Sequence, residues 1–534
     1  MEIKLTQNKG LHETWLKLLI VLLLILGVFF RFANLDKKIY WQDETFTSLR
    51  ISGYTRSELV RQVFNGREIG IEDLRKYQQI NSKKTVIDTI KGLALEEPQL
   101  PPLYFAIARF WVQWFGNSVT AIRSLSALIS LLAFPCIYWL CQELFESPLV
   151  GWVAVALVAV SPFHVLYAQE ARPYSLWTVT VLLSSAALLR AVRLQSKLSW
   201  GIYAIAVALG FYSFLFSGFV VIGHGIYVFV TQCFKFSRTV TAFSLATLVG
   251  FLAFAPWLSA VITNFSNAQT GTNWASEKVN LLFLVAMWAG NISRLFFDFG
   301  VGSEQSLIYL IPLIPPILIL LIIIGYSIYF LCRQTPKRVW LFILTLIGVT
   351  ALALILPDLI LGGRRSGVAR YIIPCYLGIQ VTVAYLLATE ITSISVNLRR
   401  QKLWQFVAIA LLSSGVLSCA IGSQAEVWWN KGPEINKYNP QVARIINEAT
   451  QPLLLSDNKE AAYILSLSYL LEPKVRLQLL VKPKVLKISN GFSDLFLYKP
   501  SEEFRYILEK ELHYKIKRVQ ELGRFEDTLW RLEK

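Results

Sequence analysis

The chain has 534 residues, of which 54% are hydrophobic and only 16% charged, and its mean hydropathy is +0.49. A soluble domain carries about 25% charge, so this composition excludes a disordered chain and argues against an ordinary soluble enzyme. It points to a polytopic membrane protein with some water-exposed mass, and the net charge of +17 is then first a question of which side of the bilayer holds the excess, not a nucleic-acid footprint.

A short basic segment followed by an apolar run from about 15, with no small-residue cleavage site, predicts an uncleaved first span. Further runs long enough to cross a bilayer recur at 121–143, 149–167, 174–192, 199–214, 216–232, 240–262, 305–331, 339–356, 371–390 and 404–423, giving about eleven transmembrane helices. As one helix, 199–232 would be about 51 Å long, so it is divided in two. Three hydrophilic blocks remain, at 33–120, 263–304 and from 425 onward.

With Lys4 and Lys9 inside, the inner loops carry Arg190, Arg193 and Lys197, then Lys235 and Arg238, then Arg333, Lys337 and Arg338, then Arg399, Arg400 and Lys402. That alternation fits the positive-inside rule, although the loop near Glu143 is acidic. It places all three hydrophilic blocks on the outer face. A span over 281–300 would invert every later basic loop, so that segment is expected to be interfacial, as is 101–116 with Arg109 and Gln113. The resulting organisation is a membrane domain over 1–424, with outer loops 33–120 and 263–304, and an outer-face domain over 425–534. In the latter, PLLLSD and VRLQLLV read as strands and EEFRYILEKELHYKIKRV as a helix, a small α/β domain.

Six cysteines lie in or beside apolar runs without CxxC spacing, and four histidines are scattered, so neither a zinc site nor a disulfide framework is expected. Four segments carry the chemistry. YWQDETFT places Asp43 and Glu44 about ten residues after the first span, flanked by interfacial Tyr40 and Trp41. The pair can be a helix cap, or a carboxylate held at headgroup level can serve as a general base toward a hydroxyl. EEPQLPPLYF, with Glu97 and Tyr104 as cavity candidates, fixes an extended approach to a helix start through Pro98, Pro101 and Pro102, or is merely a rigid turn. SPFHVLYAQEARPYSLW crowds Gln169, Glu170, Arg172 and Tyr174 into a very short outer loop. GGRRSGVARY puts Arg364, Arg365 and Arg370 on the face that should be poor in arginine, where guanidinium forks and glycine-exposed N–H groups suit phosphate oxygens. Arg294 is a weaker candidate of the same type. A carboxylate pair and an arginine cluster on one side of a membrane are what transfer of a group from a phosphate-bearing lipid requires.

In their order, YWQDETFT, PQLPPLYF, IRSLSALISLL, SPFHVLYAQEARPYSL and GRRSGVARYIIPCY resemble the bacterial GT-C glycosyltransferases of family 39 type, related to protein O-mannosyltransferases and lipid A aminoarabinose transferases, over about 11–424. The resemblance implies a mostly helical GT-C fold in the bacterial plasma membrane, with the N-terminus cytoplasmic. It implies a polyprenyl-phosphate-linked sugar donor and a single inverting displacement. Asp43 is then the catalytic base supported by Glu44, Glu170, Arg172 and Tyr174 line the cavity, and Arg370 and Tyr371 contact the phosphate. One departure is Leu100, where relatives often carry a basic residue or histidine before Pro-Pro, which leaves more of the phosphate to the arginines. The acceptor can be a lipid, a glycan or a protein hydroxyl. No cofactor is identified with certainty, and a divalent metal on Asp43, Glu44, Glu96, Glu97 or Glu170 stays open, although no ligand spacing demands one. Competing readings are an oligosaccharide ligase or polymerase of the same fold, and a flippase for a lipid-linked anion. Against the flippase stand the absence of repeated halves and the fact that His224 alone is ionisable near mid-span.

Overall fold

The computed structural model describes residues 2–302, 307–392, 398–431, 436–457, 461–481, 488, 491–519 and 528–533. The chain forms two compact units: 1–35 with 97–104 and 123–424, and 36–96 with 105–122 and 425–534.

The first unit is helical. Seven helices among the described residues are long and apolar enough to cross a membrane: Val119–Phe145, Tyr174–Leu194, Arg238–Thr263, Ile308–Gln334, Lys337–Leu361, Ala369–Thr392 and Leu398–Gln424. The bent pair Pro148–Ala159 and Pro162–Ala168 makes an eighth if counted as one span. The chain is thus a multi-pass membrane protein. The remaining expected spans are also helices, within Glu2–Phe32, Lys197–Ser213 and Ser217–Thr231. The last two have 17 and 15 residues, about 25 and 22 Å against a hydrocarbon core of about 30 Å. The chain does break between them, as the length of 199–232 requires. Leu103–Phe115 and Leu281–Ser293 are shorter still, with 13 residues each.

The expected span 149–167 is broken by 60° at Ser161-Pro162. Proline has no N–H, so Val158 loses its normal i+4 donor. Phe163 turns its N–H to the Arg294 carbonyl at 3.0 Å, so Ala159 loses its donor as well. The buried Arg31 guanidinium supplies both, donating to Ala159 O at 2.6 Å and Val158 O at 3.1 Å, and to Ser130 Oγ at 3.0 Å. Gly27 permits the approach: a Cβ there would stand 2.6 Å from Ala159 O. Leu23, Ala156 and Val160 pack with Leu412 and Val416 around the break. Mid-span His224 is buried, within hydrogen-bond distance of Ser185 Oγ (3.3 Å) and Tyr203 Oη (3.2 Å), and stacked on Phe342. Those contacts fit a packed histidine.

Among the described residues, the second unit is built on a sheet of six strands. Its strands are β1 (Asn65–Gly70), β2 (Pro452–Ser456), β3 (Arg476–Leu480), β4 (Asp494–Tyr498), β5 (Lys515–Arg518) and β6 (Leu529–Glu533), in the order β1-β3-β2-β4-β6-β5. The central β2 runs parallel to β3 and β4, and the outer pairs are antiparallel. Strand alternation sends Leu454, Leu477, Leu479 and Phe496 to one face, and Leu453, Leu455 and Leu497 to the other. On the first face lie helices Gln42–Ile51, Asn439–Glu448 and Ala461–Ser468, through Leu49, Val442, Ile446, Ile464 and Leu465. The two expected strands are β2 and β3. The expected helix over 502–519 is corrected. It ends at Glu511, His513 takes a left-handed φ of 56°, and 515–518 is β5. In β5, Ile516 packs on the second core while the basic residues around it stay largely exposed, a period of two that strands favour. The first hydrophilic block contributes β1, so the sheet is not confined to the C-terminal segment.

Candidate active site

Within the second unit, Trp41 is extended (φ −86°, ψ 173°) and the next residue starts helix Gln42–Ile51. Asp43 and Glu44 therefore lie in its first turn, where the positive end of the helix dipole favours carboxylates. Asp43 is half-buried and Glu44 fully buried. The far end of the helix is tied down by Arg50, paired with Glu96 at 2.6 Å. Glu96 also accepts the Arg56 N–H (2.7 Å), the Ser57 N–H (3.1 Å) and the Ser57 hydroxyl (2.7 Å), capping helix Arg56–Val63. Burial opposes its ionisation, but Arg50 and these donors outweigh burial and hold its carboxyl below the ordinary value. Glu96 is thereby committed to anchoring. Arg109 is buried rather than facing headgroups, and donates to the carbonyls of Ile51 and Lys84.

In the first unit, Pro101 and Pro102 are buried and Glu97 half-buried. Trp257 donates to Pro98 O at 3.1 Å, and the fully buried Tyr104 shares a 2.7 Å hydrogen bond with Ser126. Leu100, where relatives often place a basic residue, is buried. After the helix break, Gln169 donates to Phe30 O and Ala33 O, both at 2.8 Å, which fixes the turn holding the buried Glu170 and Arg172.

The arginine loop divides its labour. Asp358, with a side chain wholly inaccessible to solvent, accepts Arg365 Nη1 (3.0 Å), the Ser366 N–H (2.6 Å) and the Ser366 hydroxyl (2.7 Å). Gly363, at φ +143°, makes room for that cluster: a Cβ there would lie 2.5 Å from Asp358 Oδ1. Arg364 pairs with Glu277 at 3.0 Å. Arg364 and Arg365, expected to hold phosphate, are therefore engaged by carboxylates of the chain itself.

Arg370 has a different setting. Its guanidinium stands 5.7, 5.6 and 5.5 Å from the ring centroids of Tyr174, Trp274 and Tyr371. Phe216 packs edge-on to Tyr371 at 5.2 Å, and Tyr167 edge-on to Tyr174 at 5.3 Å. Glu170, Arg370 and Arg294 all act electrostatically on Tyr167, so these four groups converge. Arg294 is oriented by Asn291 (2.7 Å) and Val301 O (2.9 Å). The result is a cluster of two arginines and several aromatic rings with one carboxylate. Such a cluster can attract an anionic phosphate and stabilise charge growing on it. Trp274, Tyr167 and Asp358 are absent from the sequence-derived set. Asp358 had a signal, an acid ending an apolar run beside arginines; Trp274 had none, since only folding brings it to Arg370. Among the described residues no group of three or more His, Cys, Asp or Glu side chains could hold a metal ion.

Residues 99–259 match the family model described as dolichyl-phosphate-mannose-protein mannosyltransferase. ArnT from Cupriavidus metallidurans, bound to undecaprenyl phosphate, is similar in structure over 97% of this chain and 98% of its own, with a TM-score of 0.51 at 12% identity. The same protein in its apo state gives 0.50, with 98% of each chain covered and 12% identity. The archaeal oligosaccharyltransferase AglB from Archaeoglobus fulgidus gives 0.47 at 13% identity, over 90% of this chain and 62% of its own. No curated protein matches significantly. Family model and fold agree with the glycosyltransferase class read from the motifs.

Proposed function

We propose that this membrane glycosyltransferase of GT-C fold moves one sugar from a polyprenyl-phosphate donor to a hydroxyl of a lipid, glycan or protein, inverting the anomeric centre. Asp43 removes the acceptor proton, the acceptor oxygen bonds to the anomeric carbon, and the sugar–phosphate oxygen bond breaks. The departing prenyl phosphate gains a charge, which Arg370 stabilises with Arg294 nearby. Glu44 supports the base, and Glu97, Pro101, Pro102, Tyr104, Gln169, Glu170, Arg172 and Tyr174 shape the cavity. Arg364 and Arg365 act by holding the loop that leads to Arg370 and Tyr371. In this reading eleven spans place 33–120, 263–304 and 425–534 on the outer face of a bacterial plasma membrane, with the N-terminus inside.

The observation that supports the reading best is the placement of the Arg370 guanidinium within 5.7 Å of three aromatic ring centroids. Rings around a guanidinium restrict its orientation, and its planar N–H fork suits phosphate oxygens. The test is transfer by purified protein from defined prenyl-phosphate monosaccharides, with oligosaccharide-bearing lipids as the parallel arm. Asp43→Asn should lower kcat by roughly 10²–10⁴ while insertion and folding persist. Near-normal turnover would remove Asp43 from the role of base, and transfer only from oligosaccharide lipids would favour a ligase.

A further inference from the structure

The helix that carries Asp43 and Glu44 is finished by residues from the other end of the chain. Trp41 provides no side-chain cap to it. The first amide, Gln42 N–H, is instead received at 2.9 Å by the side-chain oxygen of Asn436, 394 positions away. Asn436 is itself buried, 1% exposed. The approach to the helix is held from the same side. Ile39 N–H donates to Glu426 O at 2.9 Å, and Ser466 Oγ donates to Tyr40 O at 2.7 Å. The Tyr40 ring packs on Tyr469 at 4.8 Å, and the buried Lys431 ammonium sits 3.9 Å from the centroid of Trp41. Every residue from 39 to 42 is thus gripped by the segment 426–469, immediately before the carboxylates.

We propose that the C-terminal segment is a positioning element for the carboxylate pair, and that Asn436 is its central residue, a cap supplied from a distance that fixes where the first helical turn begins. The proposal rests on the reading of Asp43 as the base. An N-terminal amide left without an acceptor frays the first turn, and Asp43 is the second residue of that turn. A base displaced by about 1 Å costs on the order of 100-fold in rate, without altering how the donor is bound.

The experiment uses the full chain in lipid nanodiscs, with Asn436→Ala, Asn436→Asp and Asp43→Asn compared by two readouts. These are hydrogen exchange of the amides in 42–51, and steady-state transfer from a prenyl-phosphate monosaccharide. Asn436→Ala should raise exchange in the first turn roughly five-fold, the equilibrium weight of one lost cap. It should lower kcat at least about ten-fold with donor KM within about two-fold. Asn436→Asp keeps the acceptor oxygen and should restore both. Unchanged exchange in Asn436→Ala overturns the proposal, and so does faster exchange with unchanged kcat. If Asn436→Ala does not fold, Ser466→Ala, which releases Tyr40, takes its place: faster exchange with lowered kcat supports the proposal, and no change in either overturns it. An active Asp43→Asn would sink the general-base reading alone, since the exchange arm still decides whether Asn436 sets the helix.

Discussion

Replacing Arg31 by Met tests the account of the broken helix. The substitution keeps an unbranched, flexible stem and removes every donor. Val158 O then loses Arg31 at 3.1 Å and keeps a long 3.4 Å bond from Ser161, while Ala159 O loses its 2.6 Å partner. Ser130 Oγ is less affected, because it still donates to Ala127 O. Two buried carbonyls left wanting cost about 1–3 kcal/mol each, or about 2–6 kcal/mol together. Removing a buried cation relieves its own desolvation, which works the other way. The net loss to look for is therefore about 2 kcal/mol, the lower end of that range. Equilibrium unfolding in mixed micelles, read by circular dichroism, gives the number. Arg31→Lys, a compact ammonium in place of a fork, should recover only part of it. An Arg31→Met protein as stable as the parent, or more so, would refute the claim that the guanidinium stands in for the missing amides.

Asp358→Ala should loosen the arginine loop, since it removes the buried acceptor of Arg365 and of both Ser366 donors, a loss of about 1–3 kcal/mol. Donor titration should show KM raised at least about ten-fold, with Asp358→Asn milder, and a KM within about two-fold of the parent would contradict the role given to the loop. The capped start of helix Arg56–Val63 should weaken in acid. Glu96 has its folded-state carboxyl below the ordinary value of 4.5, so its contribution is complete above that value and lost as pH falls through the folded one. Protection factors at Arg56 and Ser57 should fall over that window, and Glu96→Gln should reduce the dependence to the part carried by Glu58, which accepts the Thr55 N–H at the same helix start.

Much of this was legible because membrane helices announce themselves. A run of apolar residues near 20 long has few alternatives to a span, and the division of 199–232 followed from length alone. Spans of 15 and 17 residues blur the count, because composition does not record how far a short helix reaches. The site was legible where the chain breaks its own rules, as arginines in GGRRSGVARY do. Sequence could not divide labour among them: Arg364 and Arg365 meet Glu277 and Asp358, whereas Arg370 meets rings from three separate segments. Pairings of that kind depend on tertiary placement. For the same reason the helical pattern at 502–519 misled at its end, where a strand partner from 529–533 captured KIKR.

The pairing of β1 with β3 joins Asn65 to Leu480, and this has a consequence for how the protein is made. Ribosomes add roughly 5–20 residues per second, so about 400 residues of further synthesis keep β1 waiting on the order of 20–80 s for its neighbour. The segment that holds the carboxylates is therefore translated well before the neighbour on which it settles. A nascent chain that stalls after Gln424 would lack Asn436, Ser466 and all the described strands except β1. On the role proposed for Asn436, such a chain would be inactive until the C-terminal segment is made.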